Sequence, residues 1–231
     1  MSTAVISIWT VRSDRGTASP EEEYAVLDAA ERERMSRLRR ERDRARYRTV
    51  HHAFRVIVGQ RLGVAPREVG FRRHCAHCDE DGHGKPVPHG PDGTVLSASL
   101  SHSGRYALIA VCDSPQVPVG VDIERIRPHM DWTAIPCVSG GRRTHGFEQW
   151  TRAEALVKAA GTGLSRTPPH YTGQSFGSWR AARVPGSGRE WFVRSVRSPD
   201  GYAASVAGSS PETRVSVADW RGPAQAGPVK R

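Results

Sequence analysis

The stretch VPVGVDIERI, residues 117 to 126, sets two carboxylates two positions apart at the end of an apolar run. Val117, Val119, Val121 and Ile123 are β-branched, and Pro118 and Gly120 disfavour a helix, so the run reads as a strand. Side chains two apart on a strand share a face, which places Asp122 and Glu124 side by side as like charges. Such a pair is unfavourable unless something positive lies between them. A third acid, Glu154, lies in FEQWTRAEALVKAAG, where Trp150, Glu154 and Lys158 are spaced four apart and share one helix face. Carboxylates converging from such positions make a hard oxygen site, suited to Mg²⁺ that also binds substrate phosphates. Each feature alone has a plainer reading. D-x-E also describes a solvated strand end running into a turn at Pro128, and Glu154–Lys158 an ordinary intrahelical pair.

Three further clusters have chemical potential. In HGKP, Gly84 permits close backbone approach and Lys85 offers a point charge for phosphate, with Pro86 stiffening the turn. In SLSHS, Ser101, His102 and Ser103 crowd donors before a strand, able to hold a phosphate or to supply a base at His102. No G-x-S-x-G elbow accompanies them, so a hydrolase triad has little support. HCAHC places Cys75 and Cys78 at zinc-like spacing near His74, His77 and His83, without a second well-patterned ligand pair.

The elements that must position these groups are legible in outline. MSTAVISIWTVRSD alternates as a strand. Ser19-Pro20-Glu21-Glu22 is a helix start, and helical pattern runs with interruptions from about Pro20 to Leu62, ending at Gly63. Leu38, Tyr47, Phe54, Val58 and Leu62 form its apolar stripe beneath a basic outer face. Residues 70 to 93 read as loop. Tyr106 to Cys112 reads as a strand, and the closely following Val119–Ile123 strand is expected to pair with it as a hairpin. A second helix starts near Phe147 and closes at Gly161. SFGSWRAARV, EWFVRSVRS and GYAASVAGS are strand-like. SGRYALIAV and DGYAASVAG echo one another, which permits two related halves.

The chain of 231 residues suits one large domain or two small ones. It has neither a signal-peptide h-region nor a stretch long enough to span a bilayer, so the expected location is the cytoplasm, with free thiols. The formal charge of +10, mostly from Arg, points to an acidic partner: nucleic acid, an anionic small molecule or an acidic protein.

Taken in order, the basic DRARYR helix, GKP, SHS, GVDIE and WTRAEALVKAAGTGL resemble the Sfp-type 4′-phosphopantetheinyl transferases, over roughly residues 30 to 165. The resemblance implies an α+β fold of two similar subdomains in a pseudo-dimer, residues 1–115 and 116–231, with CoA bound between them. It also implies Mg²⁺-dependent transfer of the phosphopantetheine arm from CoA to a carrier-protein serine, releasing adenosine 3′,5′-bisphosphate. Asp122, Glu124 and Glu154 fall on the family's metal positions. Glu154 is also a candidate base, and Lys158 matches the lysine that neutralises phosphate charge. Gly84, Lys85 and Pro86 match the loop at the adenine end, Ser101 and His102 match contacts to CoA phosphate, and Arg46 aligns with a nucleotide-side arginine. Acidic acyl or peptidyl carriers of fatty-acid, polyketide or peptide synthesis are the implied partners, and an internally doubled fold allows a monomer.

The chain departs from the family pattern at Ala153, where Lys is usual, at Ser99, where Asn is common, and in a short segment between Glu124 and Trp150. Two other readings compete: a relative that binds CoA or carrier without transfer, supported by those departures, and a nucleic-acid binder using the basic helix and a C-x-x-C knuckle. Interleaved acids on that helix and the lack of an aromatic platform weigh against the latter.

Overall fold

A computed structural model describes residues 3–74, 84–132, 143–163 and 168–223. The amino-terminal part comprises β1 (Val5–Arg12), α1 (Pro20–Ala25), α2 (Ala29–Ser36), α3 (Glu41–Leu62), β2 (Gly70–His74), β3 (Lys85–His89), β4 (Ser97–Ser103) and β5 (Tyr106–Cys112). The remainder comprises β6 (Val119–Arg125), α4 (Arg143–Ala160), β7 (His170–Phe176), β8 (Trp179–Arg183), β9 (Glu190–Ser195), β10 (Tyr202–Gly208) and β11 (Arg214–Asp219). The class is α+β, as the sequence suggests. No described helix is long and apolar enough to cross a membrane.

Two sheets lie face to face with one long helix outside each. One has strand order β11-β1-β5-β4 and the other β6-β10-β9-β8-β7. The period of two explains the layering. Leu108, Ala110 and Cys112 of β5 join Val119, Val121 and Ile123 of β6 and Ala204 and Val206 of β10 in the central core. The alternate residues of β5, Ala107, Ile109 and Val111, pack instead on Phe54, Ile57 and Val58 of α3. On the far side, Ala207 of β10 and Val193 of β9 pack on Ala155, Leu156 and Ala159 of α4. Asp122 and Glu124 therefore leave β6 on the face that carries α4.

The helical run from Pro20 to Leu62 is three helices. Ser19 and Asp28 each start one with a reciprocal capping box, to Glu22 and Glu31. Gly63 ends α3 in the left-handed region, φ 72°. The short helices are held on α3 by buried glutamates. Glu23 accepts from Thr17, Arg48 and the Thr49 hydroxyl. Glu31 accepts from Arg55 at 2.6 Å and pairs with His51 at 2.8 Å. Arg55, only 1% exposed, also donates to Asp28 and to the Val69 carbonyl.

Three expectations are corrected. β5 and β6 do not form a hairpin. β5 pairs with β1 and β4, whereas β6 pairs with β10, because the turn after Cys112 carries the chain from one sheet to the other. Residues 70–74 and 85–89, read as loop, form the antiparallel β2–β3 pair. Pro86 and Pro88 obscured it, yet each is tolerated in a two-stranded sheet where an amide can face away from the ladder. β11, absent from the sequence reading, runs parallel to β1 and closes that sheet. The zinc-spaced Cys75 and Cys78, with His77 and His83, lie outside the described residues, as does the side chain of His74. Cys112, within them, is a buried free thiol.

The β6–α4 contact tolerates no side chain at Gly120. A Cβ there would stand 2.1 Å from the Ala155 carbonyl oxygen and 2.4 Å from the Ala159 nitrogen. Gly120→Ala is accordingly expected to destabilise the protein by about 1–3 kcal/mol or more in urea unfolding, because helix backbone must move. A parent-like midpoint would show that α4 is not seated this tightly.

Candidate active site

The edges of the two sheets meet where β4 lies beside β6. Four alternate serines of β4 accept successive outward N–H groups of β6: Ser97 from Val119 at 3.1 Å, Ser99 from Val121 at 3.1 Å, Ser101 from Ile123 at 3.4 Å and Ser103 from Arg125 at 3.1 Å. Two of these hydroxyls also donate to the acids: Ser101 to Asp122 Oδ1 at 2.7 Å and Ser103 to Glu124 Oε2 at 2.7 Å. From α4, Lys158 Nζ donates to the same Asp122 Oδ1 at 2.6 Å. Glu154 stands one helical turn earlier on the same face as Lys158.

Asp122 is buried, and its second oxygen, Oδ2, has no hydrogen-bond partner among the described residues. Burial raises the Asp122 carboxyl above its ordinary value, despite the opposing pull of Lys158 and Ser101. Glu124 is raised by burial and by the Asp122 charge, and Glu154 by burial and by both neighbouring acids. These three acids thus sense one another across the β6–α4 contact. Among the described residues no group of three or more His, Cys, Asp or Glu is already gathered closely enough to hold a metal ion. An orphaned buried carboxylate oxygen beside two other acids that are costly to ionise nevertheless suits a hard cation, whose charge would offset all three penalties.

A cavity of about 560 Å³ opens beside this cluster, lined on one side by Glu154, Val157 and Lys158 of α4 and on the other by His51 and Phe54 of α3. Phe71, Arg73, Gly84, Lys85, Pro86, Ser99 and Arg34 complete much of the wall. Phe54 and Phe71 stack with ring centroids 5.5 Å apart, giving the basic cavity an aromatic end. Its cations, Arg34, Arg73, Lys85 and Lys158, outnumber its acids, Glu31 and Glu154, so it favours an anion with an apolar portion.

The residues singled out from sequence divide between two places. Asp122, Glu124, Glu154, Lys158 and Ser101 are drawn together. Gly84 (φ 99°), Lys85 and Pro86 line the cavity. Lys85 Nζ itself donates to the Val119 carbonyl at 2.8 Å and the Ala159 carbonyl at 3.4 Å, and burial lowers its pKa to about 8. It ties β3 to the β6–α4 contact as well as charging the wall. His102 lies on the opposite face of β4 from the serines and is exposed. Arg46 lies on the outer part of α3 with Asp43, 3.9 Å away, and is not among the cavity-lining residues. Arg34, His51 and Arg73 line the cavity but were not singled out from sequence. Nothing in their spacing distinguishes them from other arginines and histidines nearby.

No protein-family model matches the chain. Curated relatives do. The chain is 26% identical to a putative 4′-phosphopantetheinyl transferase of Synechocystis over 170 residues, covering 68% of this chain and 65% of that protein. It is 24% identical to a 4′-phosphopantetheinyl transferase of Bacillus subtilis over 223 residues, covering 90% of this chain and 94% of that one. It is 26% identical to the 4′-phosphopantetheinyl transferase HetI of Nostoc over 178 residues, 70% of each. The chain thus spans just under two thirds of the first relative's length and nearly all of the second's.

Proposed function

We propose that the chain, similar to three proteins named 4′-phosphopantetheinyl transferase, is itself such an enzyme, and that it moves the 4′-phosphopantetheine arm of CoA to a serine of an acyl or peptidyl carrier protein, with Mg²⁺, releasing adenosine 3′,5′-bisphosphate. The observation that carries this reading is the Lys158–Asp122 pair, which leaves Asp122 Oδ2 buried and without a partner among the described residues, beside the wall of a basic cavity that Glu154 and Lys158 line.

Asp122, Glu124 and Glu154 would hold the metal. When bound, Mg²⁺ supplies charge stabilisation to the pyrophosphate oxygens. The chain's own residues do the rest. Arg34, Arg73 and Lys85 draw the anionic nucleotide into the cavity, and Phe54 and Phe71 offer it apolar surface. Gly84 and Pro86 shape the rim; Ser101 acts through the Asp122 carboxylate to which it donates, while His102 and Arg46, matched to CoA contacts by resemblance, do not line the cavity. The carrier serine oxygen attacks the phosphorus bearing the pantetheine arm, and the P–O bond to the leaving nucleotide breaks. Glu154 takes the serine proton, directly or through water. Lys158 offsets charge that grows on the phosphate oxygens.

Residues 1–115 act as the nucleotide-side half and 116–231 as the catalytic half of a monomer acting in the cytoplasm. The formal charge of +10 steers an acidic carrier toward the site. The reading is tested by following nucleotide release chromatographically: adenosine 3′,5′-bisphosphate is expected only when CoA, Mg²⁺ and an apo carrier are all present. Release without the carrier, or none with any of a panel of carriers, contradicts it. CoA is also expected to raise the melting temperature, by about 2–3 kcal/mol of stability at a hundredfold excess over its Kd. Dephospho-CoA protecting as well as CoA would remove the 3′-phosphate from the role given to the basic wall.

A further inference from the structure

The serines of β4 form a graded set. All four accept an N–H group of β6, but only Ser101 and Ser103 pass a proton on to a carboxylate, each at 2.7 Å. A serine hydroxyl has one proton and two lone pairs. With a lone pair of Ser103 engaged by the Arg125 N–H at 3.1 Å, its O–H is turned toward Glu124 Oε2. Ser101 is held between the Ile123 N–H and Asp122 in the same way, and is itself buried. Backbone geometry that joins the two sheets thereby fixes the rotation of two side-chain carboxylates.

We propose that Ser101 and Ser103 are positioning residues that aim the Asp122 and Glu124 carboxylates, so that the oxygen each leaves free is presented to a divalent cation. For Asp122 the consequence is already visible. Oδ1 is saturated by Ser101 and Lys158, and Oδ2 is left buried and unpartnered. For Glu124, Oε2 is occupied by Ser103, with Arg127 3.6 Å away, which among the described residues leaves Oε1 as the available ligand. Hydrogen-bond partners of ligating groups orient them and raise their basicity, and their loss commonly weakens metal affinity by about 10–100-fold. The inference rests on the metal-dependent transferase reading. It adds that the β4 edge, and not only β6 and α4, builds the metal site.

Ser97 supplies an internal control, since it clips the Val119 N–H without touching an acid. The probe is Mn²⁺, its binding followed by electron paramagnetic resonance in the presence of CoA and without carrier protein, so that turnover plays no part. Ser101→Ala and Ser103→Ala are expected to weaken Mn²⁺ about tenfold or more. Ser97→Ala is expected to bind within twofold of the parent while losing comparable thermal stability. Ser103→Thr, which keeps the hydroxyl at the half-buried end of the strand, should recover most of the affinity. In transfer assays the alanine variants should show a raised Mg²⁺ requirement, with the maximal rate largely restored at saturating Mg²⁺. Parent-like Mn²⁺ affinity in both Ser101→Ala and Ser103→Ala overturns the inference, as does an equal loss in Ser97→Ala. Should the parent itself bind no Mn²⁺, the metal reading falls, and the positioning role with it. Tight binding by the parent with unaltered serine variants removes the positioning role alone.

Discussion

Glu154→Gln is expected to cut transfer by about a hundred- to a thousandfold, while the unliganded protein stays as stable as the parent at neutral pH or becomes more so. The two effects have one cause. Glu154 is raised above its ordinary value of 4.5, first by burial and then by the charges of Asp122 and Glu124, so ionising it in the folded protein is costly. A carboxyl raised on folding adds stability below its ordinary value and loses it as pH rises through the folded value. Glutamine has no proton to lose. The variant's advantage in melting temperature should therefore be present near neutrality and fade as pH falls toward 4.5. Thermal unfolding across pH, without Mg²⁺ or CoA, checks it. Added Mg²⁺ with CoA should then protect the parent more than the variant. Near-parent transfer together with a pH-independent stability difference would mean that Glu154 is an ordinary helix-surface residue paired with Lys158.

Arg55→Ala is expected to cost about 3–5 kcal/mol in equilibrium urea unfolding, the largest loss anticipated for a single substitution in the chain. The guanidinium is 1% exposed and bonds Glu31 and Asp28, each at 2.6 Å, and the Val69 carbonyl at 2.8 Å. Its removal leaves Glu31 buried with His51 as its remaining side-chain partner among the described residues. Burial opposes ionisation of Glu31, and the charges of His51 and Arg55 together hold its carboxyl below the ordinary value. Arg55→Lys should rescue little, because an ammonium cannot reproduce the fork that spans two carboxylates and a carbonyl. Glu31 and His51 also line the cavity, so CoA binding should weaken along with the fold. A loss below about 1 kcal/mol would place the pair among weak surface bridges.

The acidic face was legible because it rests on short periods. The D-x-E alternation gives a shared face on β6, and the spacing of Glu154 and Lys158 gives a shared face on α4. Gly120 is what permits the two to meet. The capping residues Ser19 and Gly63 were equally plain, since each satisfies a local backbone need. Partnership between strands was not legible. The β5–β6 hairpin failed because an adjacent strand pair and a crossing between sheets look alike over a short turn, and sheet membership is decided by packing of Leu108 and Val121 in a core assembled from distant segments. The β2–β3 pair hid behind prolines, and β11 depends on β1, some two hundred residues away. The serine alternation of β4 was visible as S-x-S-x-S-x-S. Its meaning came only from the N–H edge of β6 laid beside it. The positive cavity wall gathers Arg34, His51 and Arg73 from separate elements, so no local pattern marks them.

The most direct test is the intact mass of an apo carrier protein after incubation with this protein, CoA and Mg²⁺. Carriers from fatty-acid, polyketide and peptide synthases should be tried in parallel, each with its acceptor serine and as a serine-to-alanine control. The expected result is a gain equal to one phosphopantetheine arm on at least one carrier, absent from its alanine control and lost with Asp122→Asn. Unchanged masses across the whole panel, with the protein folded and saturated with CoA, would contradict the transferase account.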